Sequence, residues 1–252
     1  MLLMVCTIFP PQVLLIDQYT LLFIRLSWPG RGFKTFIMSL PFDRIIMYGV
    51  MIPETIAVVV GGLRLRHLQA PLRYLWILVL FGFLTDLLSR LLILLKMGNL
   101  FLIVLYIPVE FGLLAAMYRH ELHDSRTAKI IPFLTAGFAG YAFFEILTGK
   151  LQGFNREERF VEGFLILFFV LEYLYRVLRK LNIFHLEYAP MFWLSAGLII
   201  YFPCDIIVFT FSEYIFSSYS THFNLQLWDV HAVLTMLLYT FYTLTLWIPQ
   251  RN

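Results

Sequence analysis

Along the chain, apolar runs of twenty or so residues alternate with short polar breaks. The runs lie near 43–63, 72–95, 98–118, 130–149, 159–179, 190–212 and 226–248. A helix that crosses a bilayer needs roughly 20 predominantly apolar residues. The breaks between the runs carry charges and helix breakers: "RLRHLQAP", "KMGN", "RHELHDSRTAK", "KLQGFNREER" and "RKLNIFHLEYAP". The runs are too long for barrel strands and lack strict two-residue alternation. The pattern predicts an all-α, polytopic membrane bundle of seven transmembrane helices over residues 38–252. Residues 1–37 fit it less well, because "MLLMVCTIFPPQVLLIDQYTLLFIRL" is apolar but carries Pro10, Pro11 and Asp17. It lacks the basic start and small-residue cleavage site of a signal peptide. It reads as an uncertain lead, either an extra apolar segment or sequence upstream of a start at Met38.

Composition supports the membrane reading. Of 252 residues, 60% are hydrophobic and only 14% charged, against about a quarter charged in soluble domains. Mean hydropathy is +0.80. The net charge of +3 is spread over short loops, so it bears on topology and gives no sign of nucleic-acid binding. Two cysteines, Cys6 and Cys204, make no disulfide framework. Lysine and arginine in the loops set orientation. One side receives Arg64, Arg66, Arg73, Arg119, Arg126, Lys129, Arg176, Arg179, Lys180 and Arg251. The other receives Arg44, Lys96, Lys150, Arg156 and Arg159. The imbalance predicts N-terminus out and C-terminus in.

Against this background the charges inside the runs stand out. Each Asp, Arg or Lys near the centre of a spanning helix costs about 2.5–3.5 kcal/mol on insertion scales. The chain nonetheless places Glu54 in the first run, Asp86 and Arg90 in the second, Glu110 in the third and Glu145 in the fourth. Glu162 and Glu172 lie in the fifth, Asp205 in the sixth, and Asp229 and His231 open the seventh. Glu172 has Arg176 one turn on as a partner. With the predicted orientation most of the others fall in the outer half or the middle. Gly82, Asp86, Ser89 and Arg90 share one helical face, as do Asn99, Tyr106 and Glu110. Tyr141 stacks on Glu145 and Tyr201 on Asp205. His231, Thr235, Tyr242 and Thr245 form a stripe. Pro53, Pro108 and Pro203 lie one or two residues before Glu54, Glu110 and Asp205, where a kink frees a backbone carbonyl.

These groups predict an outward-facing polar cavity built from Glu54, Asp86, Arg90, Glu110, Glu145, Tyr201, Asp205 and His231. It would bind a small ligand or cation of unknown identity. Asp86 and Arg90, in the favourable i, i+4 order, could serve only to lock helices together. Arg90, read as the one arginine in the outer half of a span, is expected to be shared between Asp86 and Glu110, Asp205 or Glu145. Glu162 and Asp229 could be merely interfacial.

Several chemistries find no support. "HELH" at 120–123 spaces its histidines i, i+3, where the zinc protease motif needs i, i+4. No nucleotide, nucleophile-elbow or dinucleotide motif is present, and no cofactor is expected. The last run lacks a lysine for a retinal Schiff base. A zinc hydrolase would want about three histidines near one face, and only His231 is so placed.

"GNLFLIVLYIPVEFGLLAAMY", "MFWLSAGLIIYF" and "LWDVHAVLTMLLYTFYTL" resemble segments of small bacterial seven-helix membrane proteins, and of the seven-helix input modules attached to signalling enzymes. The resemblance covers roughly residues 40–250 and rests on Asn99, Glu110, Tyr201 and His231. It implies a sensory or signalling-accessory role in a bacterial inner membrane. With no catalytic domain after Asn252, output is expected to pass through a membrane partner protein. A proton- or cation-coupled solute transporter is the main alternative, and a membrane-embedded lipid-modifying enzyme is the second.

Overall fold

A computed structural model of the chain describes residues 46, 49–99, 101–147, 156–180, 186–218 and 221–249, the side chains at 156, 180, 187 and 212–225 excepted. The N-terminal lead 1–37 and the start considered at Met38 lie outside the described residues. Among the described residues there are seven α-helices and no strand: α1 (Met51–Arg64), α2 (Ala70–Leu94), α3 (Phe101–Glu121), α4 (Arg126–Leu147), α5 (Arg156–Lys180), α6 (Pro190–Ser218) and α7 (Thr221–Trp247). Each coincides with one of the seven apolar runs. Helices α2, α3, α4, α6 and α7 are long and apolar enough to cross a membrane. This makes the chain an integral, multi-pass membrane protein. Helix α5 is as long as α2 but carries charged residues at both ends. Helix α1, at 14 residues, rises about 21 Å at 1.5 Å per residue.

Local chemistry sets the breaks. Ser125 Oγ accepts the Ala128 N–H at 2.9 Å and caps the start of α4. Pro71 stands in the first turn of α2, where its missing N–H costs nothing. At the other end of α2 the chain turns over Lys96, whose φ is 57°. The Met97 N–H then reaches back to the Leu92 carbonyl at 2.9 Å, closing the helix in the manner of a Schellman turn.

The short connections make sequential helices antiparallel neighbours, and glycine contacts fix their register. A Cβ on Gly61, late in α1, would strike Trp76 early in α2, and would lie 3.1 Å from Leu246 late in α7. A Cβ on Gly197, early in α6, would come within 2.7 Å of Phe241 Cβ, late in α7. Helices α1, α2, α3, α5, α6 and α7 pack in that order into a ring closed by α7 against α1, while α4 lies outside and packs on α3. Accordingly α4 is the least buried of the five long apolar helices, and α3 the most.

The interior has two chemically different halves. Toward the end where α1, α3 and α5 finish, the core is apolar: Leu72, Leu75, Leu114, Met117, Phe169 and Leu194 are fully buried. The opposite half holds nearly all the buried polar groups. These are Glu54, Asp86, Ser89, Asn99, Glu110, Glu145, Glu158, Arg159, Glu162, Asp205 and His231. That one-sided distribution matches the expectation from the sequence.

Candidate functional site: a buried arginine held by three carboxylates

The centre of the polar half is Arg159, on the first turn of α5 and 0% exposed. Its Nε donates to Asp205 Oδ2 of α6 at 2.7 Å. Its Nη1 donates to Glu110 Oε2 of α3 at 2.6 Å and to Glu162 Oε2, one turn along its own helix, at 2.7 Å. Nη2 reaches the Tyr201 hydroxyl at 3.3 Å. Phe202 and Phe209, two turns apart on α6, each place a ring centroid 5.6 Å from the guanidinium carbon. Only a planar fork with five donors can serve three carboxylates and a phenol while lying between two aromatic faces.

The sequence shows how the centre is assembled. Helix α5 begins "REERFVEGFLILFF". Glu158, Arg159, Glu162 and Gly163 face inward, while Phe160, Val161, Phe164 and Phe168 face outward. The turn is inverted relative to a water-soluble helix, as suits lipid on the outside. Gly163 lets α6 approach, since a Cβ there would sit 2.8 Å from Ile206 and 3.2 Å from Phe202. On either side of α5, α3 and α6 each carry an internal proline, Pro108 and Pro203. Each lies two residues before the carboxylate that Arg159 binds. The short patterns "PVE" and "PCD" thus flank the arginine.

Asp205 continues the network. Its Oδ1 lies 3.4 Å from His231 Nδ1 on α7. His231 is 0% exposed, and neither ring nitrogen makes a hydrogen bond. Its ring sits among Tyr201, Phe209 and Trp228, with centroids 5.9, 5.7 and 5.8 Å away. On the other flank, Tyr106 donates to Glu110 Oε1 at 3.4 Å, and Tyr239 donates to Glu54 Oε1 at 2.9 Å.

The expected site residues therefore divide. Glu110, Tyr201, Asp205 and His231 gather around Arg159. Glu54 belongs to the adjoining tyrosine cluster, within electrostatic reach of Arg90. Asp86 is buried on the inward face of α2 next to Ser89, whose hydroxyl accepts from Asn99, and Arg90 is half-buried. Glu145 lies on the peripheral α4, where Tyr141 donates to it at 3.0 Å and also reaches Glu157 at 3.2 Å. Glu172 pairs with Arg176 at 2.7 Å, as expected.

Three expectations change. Glu110 and Asp205, considered as partners for Arg90, are gathered by Arg159. Arg159, counted among the outer loop charges, is a buried helical residue. Glu162, which the sequence alone allows to be merely interfacial, is one of its three partners and 0% exposed. The polar groups around Arg159 are themselves buried. Among the described residues no group of three His, Cys, Asp or Glu side chains is arranged to hold a metal ion.

Chemically the centre carries an acidic surplus. Three carboxylates meet one guanidinium, so full ionisation would leave two negative charges in excess. Glu162 Oε1 and Asp205 Oδ1 are buried without a hydrogen-bond partner. An unpaired charge in such surroundings is expensive and is normally removed by protonation or by a counter-charge. The arrangement can therefore take up positive charge. No protein-family pattern, no curated protein and no solved structure matches the chain.

Proposed function

We propose that this multi-pass membrane protein binds positive charge, in the first place protons, at the centre formed by Glu110, Arg159, Glu162 and Asp205, and acts as a sensor or signalling accessory. The observation that carries the reading is the convergence of three carboxylates on one fully buried arginine. Arg159, Glu162 and Asp205 are 0% exposed, and a proton can reach such buried groups without the room a small cationic ligand needs. Uptake at Glu162 or Asp205 weakens its contact with Arg159 and redistributes the guanidinium among the remaining acids. Because Glu110 and Asp205 sit on different proline-containing helices, that redistribution bears on how α3 and α6 lean against α5. A membrane partner would read the change. On this reading the centre faces the outer half of the bilayer, with the N-terminus out.

The test is the full chain in lipid nanodiscs, with thermal unfolding followed across pH. The wild type should show a pH-dependent midpoint, and Glu162→Gln and Asp205→Asn should flatten that dependence while the proteins remain folded. A wild-type midpoint that does not respond to pH rules the reading out. The prolines in α3 and α6 favour one second reading, a proton-coupled transporter in which the same centre alternates between the two sides. Proteoliposomes enclosing a pH-sensitive dye separate the two. A sensor gives no proton flux, whereas flux lost on Glu162→Gln would establish the transporter.

A further inference from the structure

One more cluster lies beside the Arg159 centre. Glu54 on α1 is 0% exposed. Its Oε1 accepts from Tyr239, and its Oε2 has no hydrogen-bond partner. A Cβ built on Gly82 of α2 would lie 2.7 Å from the Tyr239 hydroxyl, 3.6 Å from the Tyr106 hydroxyl and 3.7 Å from Glu54 Oε1. Oxygens from α7, α3 and α1 thus converge on a notch in α2 that exists because residue 82 has no side chain. Tyr106 then reaches Glu110 Oε1, and the other oxygen of Glu110 is held by Arg159. The rings are fixed in place: Phe81 stacks on Tyr106 at 5.9 Å, and Tyr242 packs edge-on against Tyr239 at 5.6 Å.

We propose that Glu54 is a second proton site, joined to Glu110 by a relay through the hydroxyls of Tyr239 and Tyr106 across the Gly82 notch. The inference rests on the Arg159 centre being protonatable. In the observed arrangement Tyr239 donates toward Glu54 and Tyr106 toward Glu110. Both phenol oxygens lie within 4 Å of the position a Cβ on Gly82 would take, and the line closes when the Tyr106 hydroxyl turns from Glu110 and approaches the Tyr239 oxygen.

Transfer from Glu110 to Glu54 then balances. Glu110 gives its carboxyl proton to the Tyr106 oxygen. The Tyr106 hydroxyl proton passes to the Tyr239 oxygen, and the Tyr239 proton passes to Glu54 Oε1. Glu110 ends ionised beside Arg159, Glu54 ends as a neutral acid, and both tyrosines end neutral. The groups that act on the relay are Arg90 from α2, on Glu54, Tyr242 from α7, on both tyrosines, and Arg159 from α5 and Tyr201 from α6, on Tyr106.

The experiment is a pH jump on the full chain in nanodiscs, followed by infrared absorption of protonated carboxyls. Bands are assigned by their loss in Glu54→Gln and in Glu110→Gln. In the wild type the Glu54 and Glu110 bands should change with one common rate. Tyr106→Phe and Tyr239→Phe retain the rings and remove one oxygen each. Either should make the two rates diverge by about a hundredfold, the low end of what a positioned proton carrier contributes. Gly82→Ala should do the same by displacing the Tyr239 hydroxyl. Different rates in the wild type, a common rate that survives both Phe changes, or a Glu54 band silent to pH while the Arg159 centre responds would overturn the relay alone. A Glu54 band that responds while Glu110, Glu162 and Asp205 stay silent would overturn the reading of the centre itself.

Discussion

Arg159 illustrates how a single side chain can organise a membrane interior. Its guanidinium was desolvated together with three acids, and the close contacts at 2.6–2.7 Å offset that cost only while all partners remain. Arg159→Ala should therefore destabilise the bundle by about 3–5 kcal/mol, the range for breaking a buried pair from one side. Arg159→Lys should recover only part of this, since an ammonium is a point charge and cannot fork between Glu110 and Asp205. Thermal unfolding in detergent would measure both, and equal stability of the wild type and the alanine variant would contradict the assignment. Much of this centre was legible in advance: Glu110, Asp205, Tyr201 and His231 are polar residues in spans, and their faces follow from spacing. Arg159 was not. It sits in "NREER", where charge density reads as a loop. The clue was the opposite face, where Phe160, Phe164 and Phe168 recur every fourth residue toward lipid. That pattern extends the helix back through the arginine.

At the scale of elements, helix positions follow from hydropathy because the bilayer imposes a length, but helix contacts follow from shape. The glycines show the difference. Gly197 lies against Phe241 Cβ, an atom fixed to the backbone, so α6 and α7 would have to part to admit a methyl group. Gly163 lies against the side-chain atoms of Ile206, which can turn aside. Gly137 and Gly140 on α4 have nothing within 4 Å of a new Cβ. Gly197→Ala should then be the most destabilising, by about 1–3 kcal/mol as for overpacking. Gly163→Ala should cost less, and Gly137→Ala and Gly140→Ala should be neutral or stabilising by up to about 1 kcal/mol through helix propensity. The midpoints of the four variants in one detergent give the ranking, and a loss at Gly137 or Gly140 as large as at Gly197 would refute this packing. Nothing in the sequence separates these glycines, because all four sit in similar apolar runs. The peripheral place of α4 was equally hidden, since its hydropathy resembles that of its neighbours.

For the whole molecule, burial of Arg159 alters the charge balance that governs orientation. An arginine neutralised by three acids inside the bundle is no longer a loop charge. The side that held five basic residues retains Arg44, Lys96, Lys150 and Arg156, four against ten on the other. The lysine and arginine bias thus becomes stronger, and on the proposed orientation the connections after α1, α3 and α5 should face the cytoplasm. The helix register requires those three connections to share one end of the bundle, and the α2–α3 turn at Lys96–Asn99 to lie at the other. Position 66, position 126 and position 97 are all exposed, so they can be probed directly. In a background with Cys6 and Cys204 replaced by serine, Met97→Cys should react with an impermeant maleimide added to intact cells. Arg66→Cys and Arg126→Cys should react only after permeabilisation. Reaction at 66 and 126 without reaction at 97 would invert the molecule and move the acidic centre to the cytoplasmic half. A proton taken up there would then report internal pH, and the partner that reads it would have to respond to the cell interior.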